Sequence, residues 1–184
     1  MILLRHGQSE FNVHYSATRR DPGIIDARLT EYGHVQATEA AQRLAEQPIS
    51  RIIVSPYTRA LQTAEPIARR LNLPILVNPI VRERYAFACD VGTPRTELQR
   101  AWPDVDFSTI EEIWWPPVEE PAASIQDRAA LFRAEMAALG DWSDTLVVSH
   151  WGFLLCMTGQ SVMNGECLRC NPLDPAPRDI VWHA

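Results

Sequence analysis

The chain has 184 residues, 17 of them basic and 23 acidic, for a formal net charge of −6. That length fits a single domain able to bury roughly two-thirds of its unfolded surface, and no apolar run approaches the ~20 residues of a membrane span. The negative balance argues against nucleic acid, which needs a positive face, but not against a small anion, because two or three converging arginines can hold one phosphate.

Short apolar runs alternate with helical patterns, the signature of an α/β domain on a mainly parallel sheet. The first run, Met1 to Arg5, meets charge too early to be the core of a signal peptide, so a cytoplasmic location is expected. It leads into Leu4-Arg5-His6-Gly7-Gln8-Ser9-Glu10-Phe11-Asn12. A cation and an imidazole at the carboxyl end of a strand stand where open α/β sheets bind ligands. Gly7 allows close approach of backbone to a ligand, Arg5 offers a planar fork to phosphate oxygens, and a neutral imidazole can attack phosphorus in line. Alone, the tripeptide suits a structural histidine as well.

Thr30 reads as the N-cap of a helix reaching about Gln47, with Val35, Ala41 and Leu44 in its apolar stripe. A second buried strand spans Arg51 to Ser55, and Ser55-Pro56 starts a helix to about Leu71 that carries Arg59 on its first turn. A third strand covers Pro74 to Asn78. The stretch from about Tyr85 to Ala123, rich in proline and tryptophan, reads as an excursion from the sheet, either a lid or pocket wall or a packed connection. Its Trp114 and Trp115, with Tyr85 and Phe87, read as core side chains or alternatively as a stacking pocket.

Ser124 is expected to cap a helix with Ile125, Ala129, Leu131, Phe132, Met136 and Leu139 on or near one face, stopped by Gly140. The strand Thr145 to Ser149 then ends in His150-Trp151-Gly152. This repeats the placement of His6. If the two strands are neighbours, both imidazoles converge, and Gly152 with the following helix start supplies N–H groups suited to an anion. A last strand, Asp179 to His183, is expected at an edge. The four cysteines, Cys89, Cys156, Cys167 and Cys170, read as free thiols; Cys167-Leu168-Arg169-Cys170 is half a zinc site without a second half.

Four blocks stand in order: Leu-Arg-His-Gly-Gln-Ser-Glu with Asn12; Asp26-Ala27-Arg28-Leu29-Thr30-Glu31-Tyr32-Gly33 with Gln36-Ala37; Ser-Pro-x-x-Arg-Ala-x-Gln-Thr-Ala from Ser55; and Ser149-His150-x-Gly152. Together they resemble the signature of the histidine phosphatase superfamily, phosphoglycerate-mutase-like, branch 1. The resemblance implies a three-layer α-β-α fold and a phosphohistidine intermediate. It makes His6 the nucleophile and Arg5, Arg59 and His150 the phosphoryl-binding groups, with Asn12 near the phosphate; Gln8, Ser9 and Glu10 are left as pattern. Trp151 stands where the family often has glycine, and its ring is expected to wall the pocket while its backbone N–H stays available.

A leaving alkoxide needs a proton from a carboxyl group. The resemblance makes Glu83, in Val81-Arg82-Glu83-Arg84-Tyr85 shortly after the third strand, the candidate, since mutase-like members carry an acid glutamate in a similar stretch; a salt bridge to Arg82 or Arg84 is its ordinary reading. The stretch Ala86 to Pro94 departs from the usual glycine-rich continuation, which makes Asp90 the second candidate. The expected activity is a phosphomonoesterase of ping-pong type in which His150 acts as imidazolium and no metal or other cofactor is required. A phosphoglycerate mutase is the alternative, disfavoured by a short insertion carrying Glu111, Glu112, Glu119 and Glu120, and an inert phospho-ligand-binding module is the third. The expected partner is a small phosphorylated substrate, with a homodimer compatible.

Overall fold

Four strands form where leucine and β-branched residues run uninterrupted: β1 (Ile2–Arg5), β2 (Arg51–Val54), β3 (Ile75–Val77) and β4 (Thr145–Ser149). The computed structural model, which describes residues 1–177 and 180–182, joins them to β5 (Cys167–Arg169) in one sheet of order β3-β2-β4-β1-β5. β1 and β2 both pair parallel with β4, β2 pairs parallel with β3, and β5 runs antiparallel to β1. The helices are α1 (Glu10–Thr18), α2 (Glu31–Leu44), α3 (Thr58–Leu71), α4 (Arg95–Ala101), α5 (Ala122–Ala137) and α6 (Trp151–Thr158).

Alternation along each strand sends side chains to two faces. Ile2, Leu4, Ile52, Val54, Leu146 and Val148 pack with α2 and α3 on one face. Leu3, Ile53 and Val147 pack with α5 and α6 on the other. The result is the three-layer α-β-α arrangement, with the carboxyl ends of β1, β4 and β2 side by side.

Several local expectations give way to tertiary contacts. β3 is an edge strand with Leu76 45% exposed, so it is not buried on both faces. Of the expected strand Asp179–His183, Asp179 and His183 lie outside the described residues and residues 180–182 form no strand; the edge beside β1 is β5. Cys167 packs toward the α2–α3 face and Cys170 toward the α5–α6 face, which separates the Cys-x-x-Cys pair, and all four cysteines are free thiols.

Thr30 does cap α2, its hydroxyl accepting from the Gly33 N–H at 3.0 Å, but the helix ends at Leu44 and its buried stripe is Gly33, Ala37, Ala40, Ala41 and Leu44, with Val35 exposed. α3 starts at Thr58 because the Ser55 hydroxyl is bonded to His150, and Asp26, from a distant loop, accepts from the Thr58 N–H and hydroxyl at 3.0 and 2.6 Å. α5 starts two residues before Ser124, whose hydroxyl donates to Glu120 at 2.9 Å, and Leu131 on that helix is exposed. In the stretch after Tyr85, Leu98, Phe107, Ile110 and Trp114 enter the α2–α3 core, and the Trp114 ring meets Tyr57 edge-on at 4.7 Å.

Gly7 is required by the protein itself. A methyl group built on it would lie 2.5 Å from the Gly33 carbonyl oxygen, and one built on Gly33 would overlap the Gln8 carbonyl. The turn after β1 and the first turn of α2 thus touch backbone to backbone. Gly33→Ala is expected to destabilise the fold by about 1–3 kcal/mol in urea unfolding, whereas Gly140→Ala, in open space, shifts it by no more than about 0.5 kcal/mol.

Candidate active site

In the parallel pairing, Arg5 stands opposite Ser149. The next residues, His6 and His150, therefore leave the sheet side by side, with ring centroids 5.0 Å apart. The His6 Nδ1 lies 2.7 Å from the Gly7 carbonyl oxygen, which can only accept, so Nδ1 carries the proton and Nε2 the lone pair. His150 Nε2 is 2.8 Å from the Ser55 hydroxyl, and its buried Nδ1 has no partner among the described residues.

Two guanidinium groups border the imidazoles. Arg5 donates to the Val162 carbonyl at 2.7 Å, and its buried Nε has no partner among the described residues. Arg59, 3% exposed on the first turn of α3, lies 4.4 Å over the Tyr57 ring and donates to the Cys89 carbonyl and to Asp90 at 2.8 and 3.1 Å. Asn164, which none of the four motif blocks contains, donates to the carbonyls of His6 and Gly7 at 3.0 and 3.4 Å.

Burial, then the charges of Arg59 and Arg5, pushes His6 well below the ordinary imidazole range. Burial and Arg59 do the same to His150. The protein surroundings of His150 thus favour its neutral form. Burial also lowers Arg5 to about 10, opposed by the carboxylate of Glu83. A desolvated cationic site with two neutral imidazoles is one that a dianion would complete.

Glu83 reaches this site from the loop after β3. Its carboxylate accepts from the Gly152 N–H at 3.1 Å and from the Arg84 N–H at 2.9 Å. The α6 N–H expected to meet a ligand therefore meets Glu83. The alternative of a salt bridge to Arg82 or Arg84 is not what forms: Arg82 pairs with Glu120 and Arg84 with Glu119. Asp90, the second candidate acid, is 1% exposed and uses its oxygens on Arg59 and the N–H groups of Ala86 and Phe87; burial raises it to about 6 against the pull of Arg59.

Asn12 belongs to a helix cap. Its Oδ1 accepts from the Ser9 N–H and hydroxyl at 3.0 and 2.9 Å and from Asn164 at 3.2 Å. The Trp151 ring packs 5.9 Å from Trp182 and donates to Ser161. Two shallow depressions elsewhere, one beside Arg69 and Trp102 and one beside Gln36 and Arg43, hold no imidazole.

The sequence matches the family description "Histidine phosphatase superfamily (branch 1)" over residues 1–169. It is 34% identical over 173 residues to a probable phosphoglycerate mutase GpmB of Photorhabdus laumondii subsp. laumondii, covering 86% of this chain and 73% of that one. It is 28% identical over 166 residues to a glucosyl-3-phosphoglycerate phosphatase of Mycolicibacterium vanbaalenii, covering 86% and 72%. A mycobacterial glucosyl-3-phosphoglycerate phosphatase solved with VO3 superposes with a TM-score of 0.63 at 22% identity over 91% of this chain and 88% of that one, a likeness of fold.

A histidine held below its unfolded value of 6.5 contributes stability that is present above that pH and lost as pH falls, because the unfolded chain then binds the extra proton. Below pH 6.5, down to the lowered folded values, each such histidine adds up to about 1.4 kcal/mol per pH unit to the slope of unfolding free energy. Asp90, raised from 3.8 to about 6, acts in the opposite sense between those values. Urea unfolding of wild type and His150→Asn from pH 7 to 5 is expected to show a shallower slope in the variant.

Proposed function

Because the chain belongs to branch 1 of the histidine phosphatase superfamily, we propose that it is a metal-independent phosphomonoesterase working through a phosphohistidine on His6. The observation that carries this reading is the His6 imidazole, locked by its Nδ1–H to the Gly7 carbonyl, with Nε2 as its lone-pair nitrogen beside His150 and two arginines. A neutral nucleophile within a cationic floor is what attack on a phosphoryl dianion requires.

In the first half-reaction Nε2 forms a bond to phosphorus as the ester P–O bond breaks, and Glu83, as general acid, passes a proton to the departing oxygen. In the second, water attacks phosphorus, Glu83 takes its proton, and the P–N bond breaks to release phosphate. Arg5, Arg59 and His150 hold the three non-bridging oxygens, with Asn12 and the Trp151 backbone N–H at the margin. The dianion offsets the desolvation and arginine charge that keep His150 neutral, so His150 takes up its proton as the phosphoryl group binds.

A phosphoglycerate mutase is the second reading, favoured by the 34% identity to a probable member of that kind. The glutamates of the insertion do not discriminate as the sequence suggests, since Glu112, Glu119 and Glu120 are paired with Arg95, Arg84 and Arg82. What disfavours a second anionic group is that the arginines around Glu83 are committed. Arg82, Arg84 and Arg128 are all engaged by carboxylates and carbonyls. An inert binding module would not need both a nucleophile and an acid.

Phosphate release from a panel including nitrophenyl phosphate and 3-phosphoglycerate, in excess chelator, tests this function. Turnover should resist chelator and fall by at least about a thousandfold in His6→Ala, with weak vanadate binding retained; full activity in that variant would remove His6 as nucleophile. Glu83→Gln should slow alkyl esters by about 10²–10⁴ and nitrophenyl phosphate far less, because nitrophenolate leaves without a proton.

A further inference from the structure

Four consecutive carbonyls in the loop bearing Glu83 are held by side chains. Arg128, on α5, donates to the carbonyls of Ile80, Arg82 and Glu83 at 2.5, 3.1 and 3.3 Å. Ser149, the residue before His150, donates to the carbonyl between them, Val81, at 2.6 Å. Loop carbonyls ordinarily face water. Here the only strand residue used is the neighbour of a site histidine.

Arg128 is itself fixed. Glu120, 3% exposed, accepts from Arg128 Nε at 2.8 Å and Nη2 at 2.7 Å, from Arg82 at 3.3 Å and from the Ser124 hydroxyl at 2.9 Å. Its own backbone continues the tie beyond Glu83: the Glu120 N–H donates to the Tyr85 carbonyl and its carbonyl accepts from Arg84 Nε, both at 2.8 Å. A buried Arg-Glu-Arg group adds little stability over apolar residues of equal volume, since desolvation cancels most of its attraction. It does fix geometry. A proton donor must stand within hydrogen-bond reach of the leaving oxygen, and small misplacements cost catalysis heavily.

We propose that Arg128, braced by Glu120 and joined by Ser149, is a positioning residue that sets the Glu83 carboxyl relative to His6 and His150. This rests on Glu83 being the proton donor. Arg128 touches no reacting atom; it holds the backbone from which the acid extends, and Ser149 references that backbone to the histidine strand.

The test measures kcat for an alkyl phosphate and for nitrophenyl phosphate in wild type, Glu83→Gln, Arg128→Met, Ser149→Ala and the Glu83→Gln/Arg128→Met double variant. Arg128→Met is expected to lose about ten- to a hundredfold on the alkyl ester and less than about threefold on the nitrophenyl ester. The double variant should fall no more than about twofold below Glu83→Gln, because residues acting through one group are not additive. Equal losses of Arg128→Met on both esters, or losses that multiply in the double variant, overturn the clamp while Glu83→Gln still discriminates between esters. Equal losses in Glu83→Gln itself overturn the acid and the clamp with it, and the two patterns are distinct. Should Arg128→Met fail to fold, Ser149→Ala, which removes one hydroxyl, decides by the same ratio of esters.

Discussion

The parallel pairing of β1 with β4, in the register that sets Arg5 opposite Ser149, is the constraint on which the site rests. Both strands are buried on both faces, and a slip of one residue would turn every side chain to the wrong layer, so the hydrophobic core enforces the register. The geometry of the candidate site is inherited from packing. Once Leu3, Leu4, Val147 and Val148 are seated in their two clusters, His6 and His150 have no choice but to emerge together. The same register brings Ser149 under the Glu83 loop, and the neighbouring β2 brings Ser55 to His150.

Gathering these groups carries a desolvation cost. Arg5 Nε and His150 Nδ1 are buried with no partner among the described residues, and desolvation and the arginines push both imidazoles toward the neutral form. The negative charges present are already assigned, Asp90 to Arg59 and Glu83 to the first turn of α6. Under the proposed function a phosphoryl group meets polar groups that the fold already holds in place, which is the condition for electrostatic stabilisation of a transition state.

Three of the four motif blocks made the floor of the site legible, because they place Arg5 and His6, Arg59 and His150 at the end of a strand or the start of a helix. Long-range partners were not legible. Ser55, read as a helix cap, serves His150 instead, and the cap comes from Asp26, whose sequence distance from α3 hides it. Asn12, expected near the phosphate, also has a structural partner that its position does not reveal: its oxygen accepts from Ser9 and Asn164. Gly7, read as room for a ligand, is room for Gly33. β5 was missed because three residues, Cys-Leu-Arg, carry no periodic signal; their strand character comes from β1 alone. In each case the residue type was informative and its partner was set by the fold.

The hydrogen bond from His6 Nδ1 to its neighbouring carbonyl also decides the regiochemistry of the proposed intermediate. With one nitrogen committed, the ring cannot turn over without abandoning a buried acceptor, so a phosphoryl group is taken up and given back by the same atom. Departure of the alcohol and arrival of the water then share one line through phosphorus and one face of the pocket. A single carboxyl can serve both events in turn, and overall the phosphorus undergoes two inversions, leaving a chirally labelled phosphate with net retention.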